Sequence, residues 1–381
     1  MPHDTWAILN PAAGGGRAGR AWPDVAAALR ARGIAFTQAV TCGSGDAALL
    51  AREAMAAGAT RLIVAGGDGT LNEAINGCLQ AGGVGGVGQS PQRGAAGRSG
   101  REDEVGRWAT GAGEPIAGVG SGERGAAAIL IPGVGEVAAT VALDGALGGA
   151  AVSRGALPII APLPLGTGAD FARGLGIGTP ERALAALAHG TVRRCDVGLA
   201  RFGDGRGGTI TRAFVNVADC GLGPYATAER LRGGRLPGGA AYLRGALRAI
   251  AAYSSPSVRV TVDGALAYEG GSGLLAVANG RFFGGGMVIA PRARPDDGLL
   301  DVIILAQTDR RTLLTELLPR VYRGTHLWHP AVRLRRGATV EIATPPGTPP
   351  LPIELDGEIV GVTPLRCVTL AGALSFVAHG E

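Results

Sequence analysis

At 381 residues the chain is long enough for two domains with a core each, and 46% hydrophobic against 18% charged residues excludes a disordered chain. Net charge is +5 and every one of the 36 Lys+Arg residues is arginine, so P-loop NTPases and protein kinases, which place a lysine on nucleotide phosphates, are excluded. The charge suits an anionic partner such as a nucleotide or an acidic lipid surface, whereas 4% aromatic residues and no stacking motif speak against nucleic acid.

Residues 6–9 read as a first strand ended by Asn10-Pro11. Gly14-Gly15-Gly16-Arg17-Ala18-Gly19 then leads into an Ala/Leu/Arg helix that stops at Gly33, a residue suited to a left-handed C′ position. That run satisfies G-x-G-x-x-G. The dinucleotide reading wants an acid closing the second strand, however, and residues 35–40 run into Thr41-Cys42. An oxidoreductase is thereby disfavoured. Asp46 is placed as the N-cap of a second helix reaching Gly58.

The third strand, residues 62–65, carries the most informative stretch, Gly66-Gly67-Asp68-Gly69-Thr70-Leu71-Asn72-Glu73. Thr70 and Glu73 have capping-box spacing, which puts a helix N-terminus directly after a glycine turn. Free N–H groups there cradle an anion, and Asp68 would repel phosphate unless a divalent cation or substrate hydroxyl stood between them. Phosphoryl transfer and a plain glycine-rich turn with a surface Asp both fit this stretch taken alone.

From residue 81 to about 155 the pattern dissolves into Gly, Arg, Ser and scattered acids. It is too long for an ordinary loop and reads as an insertion at about 82–150, disordered at least to residue 125, with a local helix or hairpin over 126–151. Order resumes with a strand at 157–162 and a second junction, Pro164-Leu165-Gly166-Thr167-Gly168-Ala169-Asp170, with Thr167 near an N-cap. Thr179-Pro180-Glu181 opens a further helix with Pro at its first position.

Beyond Cys195 the segments 213–218, 258–262, 274–278, 300–305 and 339–343 read as strands of a second, mostly β domain. Residues 228–253 interrupt them with Arg230, Arg232, Arg235, Arg244 and Arg248, either a solvated helix face or a docking face for anionic lipid. The expected division is 1–195 for an α/β nucleotide-binding domain and 196–371 for a β-rich lipid-substrate domain. Residues 372–381 would pack back on the first. Cys42, Cys78, Cys195, Cys220 and Cys367 lack metal or redox spacing, and His326 and His329 read as ordinary hydrogen-bonding residues. No basic leader and no apolar run of membrane-spanning length is present, so a cytoplasmic protein is expected, peripheral at most at the inner face of the membrane.

With these stretches in order, the chain resembles the diacylglycerol kinase catalytic-domain family, bacterial lipid kinase type, with sphingosine kinases as cousins. The resemblance rests on Asn10-Pro11 with its glycines, Gly66-Gly67-Asp68-Gly69-Thr70, and Pro164 to Arg173. It extends to Asn279 with Gly284-Gly285-Gly286, Asp296-Asp297-Gly298-Leu299-Leu300-Asp301, and Leu355-Asp356-Gly357-Glu358. NAD kinases share the first signature; the double-Asp turn and the late Asp-Gly-Glu favour lipid kinases. Two departures stand out: Ala169 occupies a position where the family usually has Asn, and the insertion is unusually long.

The resemblance implies an α/β doubly wound N-terminal domain and a β-sandwich-like C-terminal domain. It implies ATP contacts from Asn10, Thr41, Gly66, Gly67, Asp68, Gly69, Thr70, Leu71, Asn72, Gly166 and Thr167, with Asp68 acting through Mg²⁺. Glu358 is implied as general base with Asp356 in support, and a structural Mg²⁺ at Asp297 is completed by the carbonyls of Arg294 and Leu299. The implied reaction moves the ATP γ-phosphate to a membrane lipid, diacylglycerol first, with peripheral contact to anionic membrane; a homodimer is among the allowed assemblies. NAD kinase, and a catalytically impaired nucleotide- or lipid-binding regulator, are the alternatives.

Overall fold

The computed structural model describes residues 4–84, 157–232 and 238–380, with the side chains of 230–232, 238–242 and 252 left out. The expected insertion, apart from its first residues, lies outside the described residues, and so does Arg235.

Four strands, β1 (Thr5–Leu9), β2 (Thr37–Val40), β3 (Arg61–Gly66) and β4 (Ile159–Pro164), pair in parallel in the order β2-β1-β3-β4. The apolar, buried runs of β1, β3 and β4 fit strands covered on both faces, while β2, Thr-Gln-Ala-Val with alternate residues exposed, forms the edge. The helices α1 (Arg17–Ala31), α2 (Asp46–Ala56), α3 (Asp68–Ala81), α4 (Asp170–Gly174) and α5 (Pro180–His189) alternate with them. The apolar faces of these helices bury Trp22, Val25, Leu29, Leu71, Ile75 and Leu79 in one core with Ile8, Ile63 and Ile160. Because β1 and β3 are neighbours while the chain visits β2 between them, the strand order reverses beside β1. The crevice at the carboxyl ends there is where doubly wound sheets bind ligands.

Local rules account for several boundaries. Gly33 takes φ +75 after the Arg32 C-cap, and the N–H groups of Gly33 and Ile34 return to the carbonyls of Arg30 and Leu29, a Schellman ending. Thr179 caps α5 through Oγ1, which accepts the Arg182 N–H at 3.3 Å. Two expected caps are corrected. Gly45, at φ +89, is the N-cap of α2, and Asp46 reaches back to accept the N–H groups of Cys42 and Gly43 at 2.7 and 2.8 Å. Helix α3 starts at Asp68 with Gly67 as N-cap, three residues before the expected cap at Thr70. Thr70 Oγ1 accepts from Asn10 instead, and Glu73 turns to Ser44 and the Ala47 N–H, so no capping box forms.

The remaining strands build the β-rich half: β5 (Thr191–Gly203), β6 (Thr209–Phe214), β7 (Val217–Gly221), β8 (Ser257–Val262), β9 (Ala265–Ala278), β10 (Leu300–Ala306), β11 (Val332–Gly337), β12 (Thr339–Ala343), β13 (Pro352–Leu355) and β14 (Glu358–Ala378). Their pairing is antiparallel, apart from one parallel contact of β14 with β4, and their inward residues meet in a second core around Phe202, Phe214, Val260, Val302 and Ile353. Helices α6 (Leu222–Arg232) and α7 (Gly238–Ala252) follow β7. Two long strands connect the halves. β14 pairs with β5 along most of its length, and its end runs parallel to β4, Phe376 opposite Ile160. The expected divisions at 195/196 and 371/372 therefore fall inside continuous strands. Asp196 stitches that crossing: its carboxylate accepts the N–H groups of Gly298 at 2.6 Å and Gly372 at 2.7 Å. Of the five cysteines only Cys42 is exposed.

Candidate active site

Three glycine turns leave the carboxyl ends of β1, β3 and β4 side by side. In the first, Gly14, Gly15 and Gly16 all take left-handed φ, a run that only glycine adopts without strain. Asn10 ties this turn to the next, donating from Nδ2 to Thr70 Oγ1 at 3.0 Å while its Oδ1 accepts the Ala12 N–H at 3.1 Å. Arg17 donates to the Gly166 carbonyl of the third turn. Glycine is also required by contact. A Cβ on Gly166 would stand 2.7 Å from the Gly67 Cα, and one on Gly168 2.3 Å from Asp68 Oδ2.

Because α3 begins at Asp68 with no side-chain cap, the N–H groups of its first turn have no intrahelical partner and face the space between the turns. Asp68 is held there by the N–H groups of Asp170 at 3.0 Å and Phe171 at 3.4 Å. Burial, then repulsion from Asp170, pushes its carboxyl up to about 7. Asp170 is raised by burial as well, although the Gly285 N–H and Arg173 bind its two oxygens. Ala169, ahead of Asp170, sits at φ 61, a left-handed position that Asn tolerates far better than Ala.

The β-rich half closes the other side. Leu355-Asp356-Gly357-Glu358 is a two-residue hairpin between β13 and β14, with Asp356 at φ 48 and Gly357 at φ 89, as an Asp-Gly type I′ turn requires. The Asp356 carboxylate is fully engaged. Val215 N–H (2.9 Å) and Asn72 Nδ2 (2.8 Å) bind Oδ2, and the N–H groups of Asn216 (2.9 Å) and Val217 (3.0 Å) bind Oδ1. It fixes the turn rather than offering a free oxygen. Glu358 lies at the rim, its side chain 41% exposed, with Arg212 Nη2 3.0 Å from its Oε2. Arg212 also donates to Asn72 Oδ1 at 3.0 Å, and Asn76 binds the Ala213 backbone, so α3 and β6 are locked together beneath Glu358.

These surfaces enclose a cavity of about 660 Å³. Asn10, Thr41, Gly67, Asp68, Gly69, Thr70, Gly166, Thr167, Asp356 and Glu358 line it together. Gly66 does not, although a Cβ there would press 2.6 Å from Thr70 Oγ1. Two expected contacts are redirected because the helix starts early and rotates them away: Leu71 is buried in the core and Asn72 binds Asp356 and the Ala213 carbonyl. Arg294, Asp297 and Leu299 lie outside the cleft lining, where Asp297 accepts the Leu299 N–H at 3.2 Å and pairs with Arg336. Oxygen donors of this kind suit Mg²⁺, but as arranged the Asp297 carboxylate is paired with the Arg336 guanidinium. Residues absent from the sequence-based set are Asp170, Arg212, Asn216, Asp219 and Glu354. Only Asp170 carried a signal, its place in the second glycine junction.

A parallel α/β sheet whose glycine turns face an acidic hairpin from a β-rich half defines a class of two-part nucleotide-site protein. Residues 4–93 and 133–200 match the diacylglycerol kinase catalytic domain, and residues 219–378 match the YegS C-terminal NAD kinase beta sandwich-like domain. The chain is 31% identical over 245 residues to the diacylglycerol kinase of Mycobacterium tuberculosis strain H37Rv, covering 61% of this chain and 76% of that one. It is 30% identical over 282 residues to a "Probable lipid kinase YegS-like" protein of Pseudomonas aeruginosa PAO1, covering 73% of this chain and 65% of that one. The match thus spans slightly less than two thirds of that relative. A crystal structure of a diacylglycerol kinase from Bacillus anthracis str. Sterne shares the fold, with TM-score 0.59, 19% identity and coverage of 98% of this chain and 96% of that one. The chain belongs to the diacylglycerol kinase catalytic-domain family.

Proposed function

We propose that the protein is an ATP-dependent lipid kinase that transfers the γ-phosphate to a lipid alcohol, diacylglycerol giving phosphatidic acid being the simplest case. The observation that carries this reading is the single cavity bounded by the free N–H groups at the start of α3 on one side and by Glu358 on the other. The first-turn amides and the Gly14 to Gly16 turn bind phosphate oxygens, and Asn10 with Arg17 keeps the three turns in register. Glu358, steered by Arg212, accepts the proton of the lipid hydroxyl as its oxygen bonds to the γ-phosphorus. The bond from that phosphorus to the β-phosphate oxygen breaks, and ADP leaves.

Asp68 fits a divalent cation: it is an oxygen donor whose carboxyl is raised beside Asp170, with no cationic side chain bound to it among the described residues. Mg²⁺ held there would neutralise phosphate charge that this lysine-free chain meets only with amides and arginine. Membrane approach is supported by α7, whose Leu243 and Leu247 are 40% and 44% exposed one turn apart, beside Arg248. Among the described residues no helix is long and apolar enough to cross a membrane.

The test is ATP-dependent phosphorylation across a panel of diacylglycerol, other lipid alcohols and NAD. Asp68→Ala is expected to lose at least about a hundredfold in turnover while its melting temperature stays near that of the parent. Full activity in that variant refutes the mechanism, and preferential phosphorylation of NAD makes the protein an NAD kinase.

A further inference from the structure

One pair of acids in the cleft wall is not used by the reaction just described. Asp219 on β7 stands directly opposite Glu354 on β13 in the antiparallel register. Side chains so placed leave the sheet on the same face. Their neighbours Ala218, Cys220, Ile353 and Leu355 point into the β-rich core, and Asp219 and Glu354 both line the cavity. Both residues are 1% exposed.

Asp219 Oδ2 is buried with no hydrogen-bond partner among the described residues. It rests against Gly223 at the start of α6, where any Cβ would stand 1.7 Å from that oxygen. The other carboxylates of the catalytic cleft differ. Asp68, Asp170 and Asp356 accept backbone N–H groups, and Glu358 is held by Arg212. Burial and the facing Glu354 drive the Asp219 carboxyl well above the ordinary carboxylate range. Glu354 precedes Asp356 by one pleat, about 6 to 7 Å along the strand. The pair therefore lies about a headgroup's width from the hairpin that carries Glu358.

We propose that Asp219, with Glu354 opposite it, determines acceptor specificity by binding a second hydrogen-bond-donating group, a hydroxyl or an ammonium, next to the hydroxyl that is phosphorylated. This rests on the lipid kinase reading and narrows its substrate class. Acceptors whose head carries two donors are preferred over diacylglycerol, which carries one. The physical ground is that a buried polar group left unpaired penalises the ligand that fails to pair it.

The test measures kcat/KM in mixed micelles with Mg·ATP for a diacylglycerol, a monoacylglycerol and a long-chain amino alcohol, using the full chain, Asp219→Asn and Asp219→Ala. The parent is expected to favour at least one two-donor acceptor by about tenfold or more, and Asp219→Ala to bring the ratios within about twofold. Asp219→Asn separates the sources: it keeps the preference where the second donor is a hydroxyl and loses it where the donor is an ammonium. A parent that uses diacylglycerol as well as the others, or ratios unchanged in both variants, overturns the inference and leaves the kinase reading intact. Failure of the parent to phosphorylate any acceptor overturns both. If Asp219→Ala does not fold, the parent's own ratio and the near-isosteric Asp219→Asn decide.

Discussion

Ala169 shows what a single residue can carry in this site. As a departure from the family's usual Asn it reads in sequence as a lost polar contact. In the fold it is a backbone position at φ 61 that holds the turn before Asp170. Left-handed alanine costs about 1–2 kcal/mol, so Ala169→Asn should stabilise the protein by about 1 kcal/mol, measured by denaturant unfolding. Asp68 makes a pH prediction. Its carboxyl is raised to about 7 in the fold against an ordinary 3.8, so between those values the folded state binds more protons than the unfolded one. Stability of the nucleotide-free, metal-free protein should therefore fall as pH rises from about 4 to about 7. Asp68→Asn should flatten that part of the profile; the same slope in the variant would remove Asp68 as its source.

At the scale of elements, contacts between turns and strands set the geometry. Gly166 packs its Cα against Gly67, so the second and third turns touch through backbone. Gly166→Ala must push them apart. It should weaken ATP binding by about tenfold or more in a titration, with a smaller loss of stability. Asp196 is the counterpart at the crossing of the halves. Its oxygens are satisfied by the N–H groups of Gly298 and Gly372, which belong to two different segments. Asp196→Ala leaves two half-buried donors without their acceptor and should cost about 1–3 kcal/mol in chemical denaturation. The same reasoning explains why Asp356 is better described as a positioning group: its four acceptor contacts hold the hairpin on which Glu358 stands.

For the whole molecule, the shared strands β5 and β14 predict cooperative behaviour. A single calorimetric transition is expected, because neither half completes its sheet without them. The segment between the described stretches offers another test. Gly82 lies against Leu157, so a Cβ on it would meet Leu157 Cδ2 at 2.7 Å, and the chain can close over a short linker there. Replacing residues 85–156 with a few Gly-Ser residues should keep the melting temperature within a few degrees and preserve ATP binding.

Much of this was legible without coordinates, because it is local. Strand-glycine-helix junctions at residues 10–17, 66–70 and 164–170 follow from short-range backbone preferences, and so does the Gly33 helix ending. Since three such junctions in parallel order imply a doubly wound sheet, the glycine-turn side of the cleft was readable too. The partners of the acids were not. Asn72 turning to Asp356, Arg212 reaching Glu358, and Asp219 facing Glu354 depend on register between strands far apart in the chain. Register is fixed by which apolar faces pack together, and a shift of one residue would send every one of these side chains to the opposite face. The sequence alone therefore determined where the glycine turns fall; tertiary packing decided which carboxylates of the cleft, Asp68, Asp170 and Asp356, are held by backbone N–H groups and that Asp219 Oδ2 is buried without a hydrogen-bond partner among the described residues.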